Sequence, residues 1–248
     1  MSTPQLHLAG HVATITLQRP DQANRLTPDD LTVLLEHIAE INAKPEVLVL
    51  QLRAGGKYFC SGYDITSIGG PRPVDFEALV NSLEEARPVT IALLHGSVYG
   101  GATDLALACD FRIGVPGIDM FMPAARLGLH FYRRGLERYV SRLGVDNAKR
   151  LFLTAQKIGA EEMKVIGFLT HLVEGGAIEE AAEQLTNTCA AMAPIAMLGM
   201  KRHLNRIARG ALDLGELQED MKRAFASKDL REGQAAWAEK RAPHFTGR

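Results

Sequence analysis

The chain has 248 residues, enough for one large domain or a domain with an appendage, and is 46% hydrophobic and 23% charged, ordinary values for a water-soluble globular protein. Its net charge of -1 excludes broad attraction to nucleic acid or an anionic membrane, and no apolar run is long enough to cross a bilayer. Cys60, Cys109 and Cys189 are widely spaced, so neither a disulfide framework nor a metal-ligand cluster is expected, which suits a reducing compartment such as the cytoplasm. Met1 to Gln5 has no charged segment leading into an apolar core, so no leader peptide is expected.

In chain order, Gln5 to Leu8 and His11 to Leu17 read as a hairpin turned at Ala9-Gly10. Arg19-Pro20-Asp21 ends it. Thr27-Pro28-Asp29-Asp30 has the form of a helix start, with Thr27 as cap, Pro28 at the first turn and Asp30 at the capping-box position. Leu31, Leu34, Leu35, Ile38 and Ile41 continue it as a helical stripe. Val47 to Leu52 is an apolar strand, and strand, helix, strand implies a right-handed crossover. Ala54 to Ile65 reads as a strand-edge loop, Pro71 to Pro73 as a loop and Val74 to Ala86 as a helix.

The stretch that organises the chain follows. Pro88 to Leu94 is an apolar, β-branched run that reads as a buried strand. It leads through His95-Gly96-Ser97-Val98-Tyr99-Gly100-Gly101 into Leu105 to Cys109, read as a short buried helix. Glycines there let another group approach the backbone, and the first N–H groups of the helix suit an anion or a developing oxyanion. A tight turn packed with small residues is the simpler reading of this stretch taken alone.

Beyond it, Phe111 to Val115 and Asp119 to Met122 are short strands. Helices are expected over Arg133 to Leu143 and Val145 to Ala155, with a stop at Gly144. More follow over Glu161 to Ile166, Ile178 to Ala193, Pro194 to Arg209, Leu214 to Ala226 and Asp229 to Arg241, with Ser227 a candidate cap. The basic pairs Arg133-Arg134 and Lys201-Arg202 read as solvated faces.

Four segments, in order and spanning nearly the whole chain, resemble the enoyl-CoA hydratase/isomerase family, the crotonase superfamily. Arg19-Pro20 with Asn24 resembles its Arg-Pro-x-x-x-Asn, and Phe59-Cys60-Ser61-Gly62-Tyr63-Asp64-Ile65 its Phe-x-Ala-Gly-x-Asp-[Ile/Leu] loop. Gly96 through Asp110 resembles its Gly-x-x-x-Gly-Gly-Gly-x-Glu-Leu-x-x-x-x-Asp. Ser227-Lys228-Asp229 through Gly233 to Phe245-Thr246-Gly247 resembles its C-terminal Ser-x-Asp, Glu-Gly and Phe-x-Gly.

The resemblance implies an α/β fold. A spiral of ββα turns over 1–190 would be followed by a helical region over 191–248 that covers the site and builds homotrimers or homohexamers. It implies an acyl-CoA substrate, with coenzyme A entering as part of that substrate and no other cofactor; no metal is expected, and the net charge of -1 gives no support to the RNA binding known for some relatives of the family. By position, the backbone N–H groups of Tyr63 and Gly101 would form an oxyanion hole. Ser61, Tyr63, Asp64, Ile65, Thr66, Gly100 and Gly101 would line the substrate and its CoA. The first of the two glutamates of family hydratases falls at Asp104. Asp104 is therefore the leading candidate for proton transfer, with an acidic residue serving the helix N-terminus as the competing reading.

The second glutamate's position is Ala124, which cannot transfer a proton. In the segment Gly128-Leu129-His130-Phe131-Tyr132-Arg133-Arg134-Gly135, His130 and Tyr132 are candidate substitutes, and a plain pocket wall is the competing reading. Hydration or isomerisation of an enoyl-CoA is the leading expectation. Decarboxylation of an acyl-CoA, or acyl-CoA binding without catalysis, are the alternatives.

Overall fold

The computed structural model describes residues 3–67 and 74–248; the expected loop at Pro71 to Pro73 lies outside them. β1 (Gln5–Ala9) and β2 (Val12–Leu17) form the hairpin, turned at Gly10 with φ +57. α1 (Pro28–Asn42) buries Leu31, Leu34, Ile38 and Ile41. At its start the Asp30 carboxylate accepts from the Thr27 N–H (2.8 Å) and pairs with Arg19 (2.5 Å).

Three successive turns of a spiral follow. β3 (Val49–Ala54) leads to β4 (Tyr58–Cys60) and α2 (Phe76–Glu84). β5 (Val89–Leu94) leads to β6 (Ser97–Tyr99) and α3 (Gly101–Ala108). β7 (Phe111–Gly114) leads to β8 (Asp119–Phe121), and then to α4 (Arg133–Leu143) and α5 (Val145–Thr154). Each turn places its first strand in one sheet and its second in another. With β9 (Ile158–Gly159), α6 (Ala160–Val165) and β10 (His171–Leu172), the large sheet has the order β1-β2-β3-β5-β7-β10 and the small one β4-β6-β8-β9. Only the outer pairs β1–β2 and β8–β9 are antiparallel. β5 is buried at all six positions, as expected of a parallel strand covered on both faces.

α3 is buried from Ala102 to Ala108, its alanines letting it sit inside the spiral. α7 (Ile178–Ala190) packs against β3, β5 and β7, and Gln51 donates to Thr186 Oγ1 at 2.8 Å in that interface. α8 (Pro194–Ala208), α9 (Leu214–Phe225) and α10 (Lys228–Glu239) complete the chain. Ser227 caps α10 by accepting from Leu230 N–H (3.1 Å), and Asp229 accepts from Thr246 and Gly247 N–H (2.7 and 2.9 Å), which explains the C-terminal motif as a tail clasp. Among the described residues no helix is long and apolar enough to cross a membrane.

The structure corrects the reading of three stretches. The polar loop from Ala54 contains a strand, β4, and the turn between β5 and α3 contains another, β6. The helical last third also holds two strands, β9 and β10. Each has two or three residues, too few for alternation to show. Their pairing is set by tertiary approach. A Cβ on Gly96 would lie 2.3 Å from Lys57 O and 3.0 Å from Phe59 N, backbone atoms that cannot swing aside. Gly96→Ala is therefore expected to cost about 1–3 kcal/mol of unfolding free energy, measured by urea denaturation, although its φ is ordinary for any residue.

Candidate active site

The small sheet brings two glycine loops together. β4 pairs with β6 at Cys60 opposite Val98, and both strands then run into glycines of positive φ, Gly62 (+96) and Gly100 (+54). A Cβ on Gly62 would stand 2.8 Å from Tyr99 O and 3.0 Å from Gly101 N, so the two backbones approach this closely because position 62 has no side chain.

The Arg-Pro-x-x-x-Asn segment holds this junction from behind. Asn24, in the left-handed region at φ +51, donates to Gly55 O (2.8 Å) and Tyr58 O (2.9 Å) and accepts from Arg19 N–H (2.9 Å). Leu26 N–H donates to Gly62 O, and Leu26 O accepts from Asp64 N–H, both at 2.9 Å. In that parallel bridge the intervening Tyr63 N–H faces away from Leu26. Gly101 opens α3, where an N–H has no acceptor within the helix. Two backbone donors thus lie on adjoining segments.

Three helices meet beside them. Asp104 of α3 is fully buried, and its Oδ2 accepts from the Tyr132 hydroxyl and from Arg138 of α4 (2.7 Å). Its Oδ1 has no hydrogen-bond partner among the described residues. Arg138, itself 2% exposed, also donates to Glu84 at the end of α2 (3.0 Å) and to Asn81 (3.1 Å). Arg134, Arg142 and Arg209 lie 2.9, 3.6 and 3.8 Å from the same Glu84 carboxylate.

Burial raises the Asp104 carboxyl above its ordinary range, against the pull of Arg138 and the Tyr132 hydrogen bond. Burial and the Asp104 charge hold the Tyr132 phenol protonated, well above its usual value. Burial opposes ionisation of Glu84 too, but there Arg138 and its neighbours win and the carboxyl sits below its usual range.

An aromatic wall closes the same space. The Phe76 ring lies over Gly101, 5.7 Å from the Tyr63 ring and 6.4 Å from that of Tyr132, which stacks on Phe131 at 4.4 Å.

The sequence candidates fall into two groups. Tyr63, Gly101, Asp104 and Tyr132 are brought together. Ser61, Asp64, Ile65, Thr66 and Gly100 belong to the loops around them. Asp64 ties its own turn by accepting from Thr66 N–H (3.1 Å) and hydroxyl (2.8 Å), and Ile65 is 57% exposed. His130 is exposed, its ring bonded to Phe131 O at 2.8 Å, and does not join Asp104. Arg133 turns outward to Glu137, at 2.7 Å. Asp104 does not serve its helix N-terminus; it faces Arg138. Burial pushes the Cys60 thiol up to about 12, and it donates to Asn24 O (3.0 Å). Ala124 is buried, its carbonyl accepting from Leu129 N–H (2.9 Å).

Arg138, Glu84 and Phe76 were missed. The available signal was a charge on a buried stripe: Arg138 lies between Gly135 and Tyr139 on the inner face of α4, and Glu84 four residues after Val80 on that of α2.

Residues 8–248 match the family model described as enoyl-CoA hydratase/isomerase. A short-chain-enoyl-CoA hydratase of Clostridium acetobutylicum is 31% identical over 246 residues, covering 95% of this chain and 94% of the relative. The methylmalonyl-CoA decarboxylase of Escherichia coli is 28% identical over 248 residues, covering 95% of each. The crystal structure of an enoyl-CoA hydratase from Bacillus anthracis superposes with a TM-score of 0.86 at 29% identity, over all of both chains.

The Glu84–Arg138 pair makes a stability prediction. Breaking a buried pair by neutralising one partner costs about 3–5 kcal/mol, so Glu84→Gln should lose that much at neutral pH in urea denaturation. Because the folded-state value of Glu84 is depressed, its contribution is present above the ordinary glutamate value of about 4.3 and is lost as pH falls through the lower folded value. The gap between wild type and Glu84→Gln should therefore shrink in acid.

Proposed function

Since the chain belongs to the enoyl-CoA hydratase/isomerase family and is an acyl-CoA-processing enzyme of crotonase type, we propose that it shifts the double bond of an enoyl-CoA through one shuttling carboxylate, Asp104. The observation that supports this reading is the asymmetry of that carboxylate. Oδ2 is taken by Arg138 and Tyr132, while the buried Oδ1 is left without a partner.

In this reading the thioester oxygen accepts from the Tyr63 and Gly101 N–H groups. Asp104 Oδ1 removes the α-proton of a 3-enoyl thioester, and the electron pair passes to the thioester oxygen as a dienolate. The proton returns at the γ-carbon, the double bond moves into conjugation, and charge leaves the oxygen. Arg138 keeps the carboxylate available despite its burial. Tyr132, held protonated, orients Oδ2. The loop from Ser61 to Thr66 lies along the CoA, which arrives with the substrate, and no further cofactor takes part. Hydration asks for a second acid/base, and the family position of that group is Ala124.

Decarboxylation of a malonyl-type thioester is the second reading. Loss of carbon dioxide leaves its electron pair on the α-carbon as a thioester enolate held by the same two N–H groups, and the Tyr132 hydroxyl supplies the proton that completes the product and is reprotonated from solvent. The likeness to a methylmalonyl-CoA decarboxylase favours this reading.

Incubation with 3-enoyl-, 2-enoyl- and malonyl-type CoA thioesters, read by mass spectrometry together with the ultraviolet absorbance of the conjugated enoyl thioester, separates the three reactions. A shifted double bond with the carbon skeleton intact is expected. Release of carbon dioxide would transfer the assignment to the second reading. Crotonyl-CoA hydration should be weaker by about 10²–10⁴-fold than in a two-glutamate relative, the usual contribution of a positioned acid/base. Asp104→Asn should remove a similar factor from turnover with little change in acyl-CoA affinity, because the backbone donors survive. Its raised carboxyl also places the acid limb of the rate profile above the ordinary aspartate value of about 3.9.

The assembly is proposed to be a homotrimer or a pair of trimers built on the helices of 191–248. Trp237 is 87% exposed and Phe225 66%, beside a cavity of about 580 Å³ lined by Ala196, Leu230 and Phe245. Light scattering at working concentration should give three or six times the 27.1 kDa chain mass.

A further inference from the structure

We infer that Phe76 sets the acyl-chain limit of this enzyme, restricting it to short acyl groups of butyryl size or smaller. The inference rests on the acyl-CoA reading above and names the substrate class of the same site.

The ring lies against the backbone donor from which, on that reading, an acyl chain extends. A Cβ placed on Gly101 would meet Phe76 Cζ at 2.8 Å and Cε1 at 2.9 Å, so the ring edge lies against the backbone of a proposed oxyanion donor. A thioester oxygen on that donor sits about 3 Å from the Gly101 nitrogen. The carbons that follow therefore start within a few bonds of the ring. The rings of Tyr63 and Tyr132 both pack against Phe76, at centroid distances of 5.7 and 6.4 Å. Past Tyr132, Phe131 stacks at 4.4 Å and Phe152 lies 5.1 Å further on, so the aromatic wall continues behind Tyr132.

The ring is also not free to move aside. Phe76 is the first residue of α2 and 7% exposed. Leu79, Val80 and Leu83 anchor that helix in the core, and Glu84 at its other end is tied to Arg138. Gly101 bears on the same point: its missing side chain leaves room for the Phe76 ring. A valine at position 101 would therefore strike the ring before it reached a bound thioester.

The test is titration calorimetry of the full-length protein with saturated acyl-CoA thioesters from acetyl to octanoyl. Wild type should bind more tightly up to butyryl and then more weakly with each added carbon. Phe76→Ala should remove the break, so that affinity keeps rising by about fourfold per methylene, the gain expected of a freely buried CH₂. Phe76→Leu, which keeps an apolar side chain in the core, should move the break to an intermediate length and carries the test if the alanine variant does not fold. Wild-type affinity that rises without a break to octanoyl would overturn the inference. So would a break that stays at the same chain length in both variants. A folded wild-type protein that binds no thioester in the series would instead remove the acyl-CoA reading itself, and the chain-length limit with it.

Discussion

Holding the Asp104 carboxylate where solvent cannot reach it costs several kcal/mol, and the placement of three helices follows from how that cost is offset. Asp104 stands on α3, inside the spiral. Its counter-charge, Arg138, comes from α4, and Arg138 is in turn held by Glu84 from α2. A buried aspartate beside a lone arginine leaves the remaining guanidinium N–H groups unsatisfied. Glu84 and Asn81 take them up. The ionic chain thus fixes α2, α3 and α4 against one another at the point where the glycine loops of β4 and β6 converge.

Burial opposes ionisation at both ends of that chain, but the net shifts are opposite. Glu84 keeps its charge because several guanidinium groups surround it. Asp104 has one, shared, and its carboxyl rises. A carboxyl that rises toward neutrality can both accept and return a proton, as a single shuttling group must. Tyr132 sits at the other extreme. The Asp104 charge keeps its phenol protonated, so it serves as a hydrogen-bond donor and, in the decarboxylation reading, as an acid.

Most of the architecture was legible in the chain. The hairpin, the capped α1, the buried β5 and the C-terminal helices carry local signals, and their limits move by only a few residues. The motif segments located the two glycine loops, and the structure supplies the physics behind them. Asn24 clamps the β3–β4 turn, Asp110 accepts from Thr90 N–H at 2.8 Å and pairs with Lys201 at 2.7 Å, and Asp229 gathers the tail. The small sheet was not legible, because its strands are too short for periodicity and exist only through tertiary pairing. Arg138 and Glu84 were hidden by the opposite problem. A charged residue on an amphipathic helix reads as solvated unless its stripe position is weighed, and both sit on the buried stripe.

α2 connects the interior of the site to the outer helices. At its C-terminal end the Glu84 carbonyl accepts from Asn205 of α8 at 3.0 Å, and Arg209, just beyond α8, reaches Glu84 and Glu85. At its N-terminal end Phe76 lies on Gly101. A nine-residue helix braced at one end by an ionic cluster cannot tilt without breaking buried charge pairs. The ring over the glycine loops is therefore held by the same contacts that seat α8 on the core. The seating of Phe76 over the glycine loops and the docking of the C-terminal helices are two consequences of one element, and Glu84 is where they join.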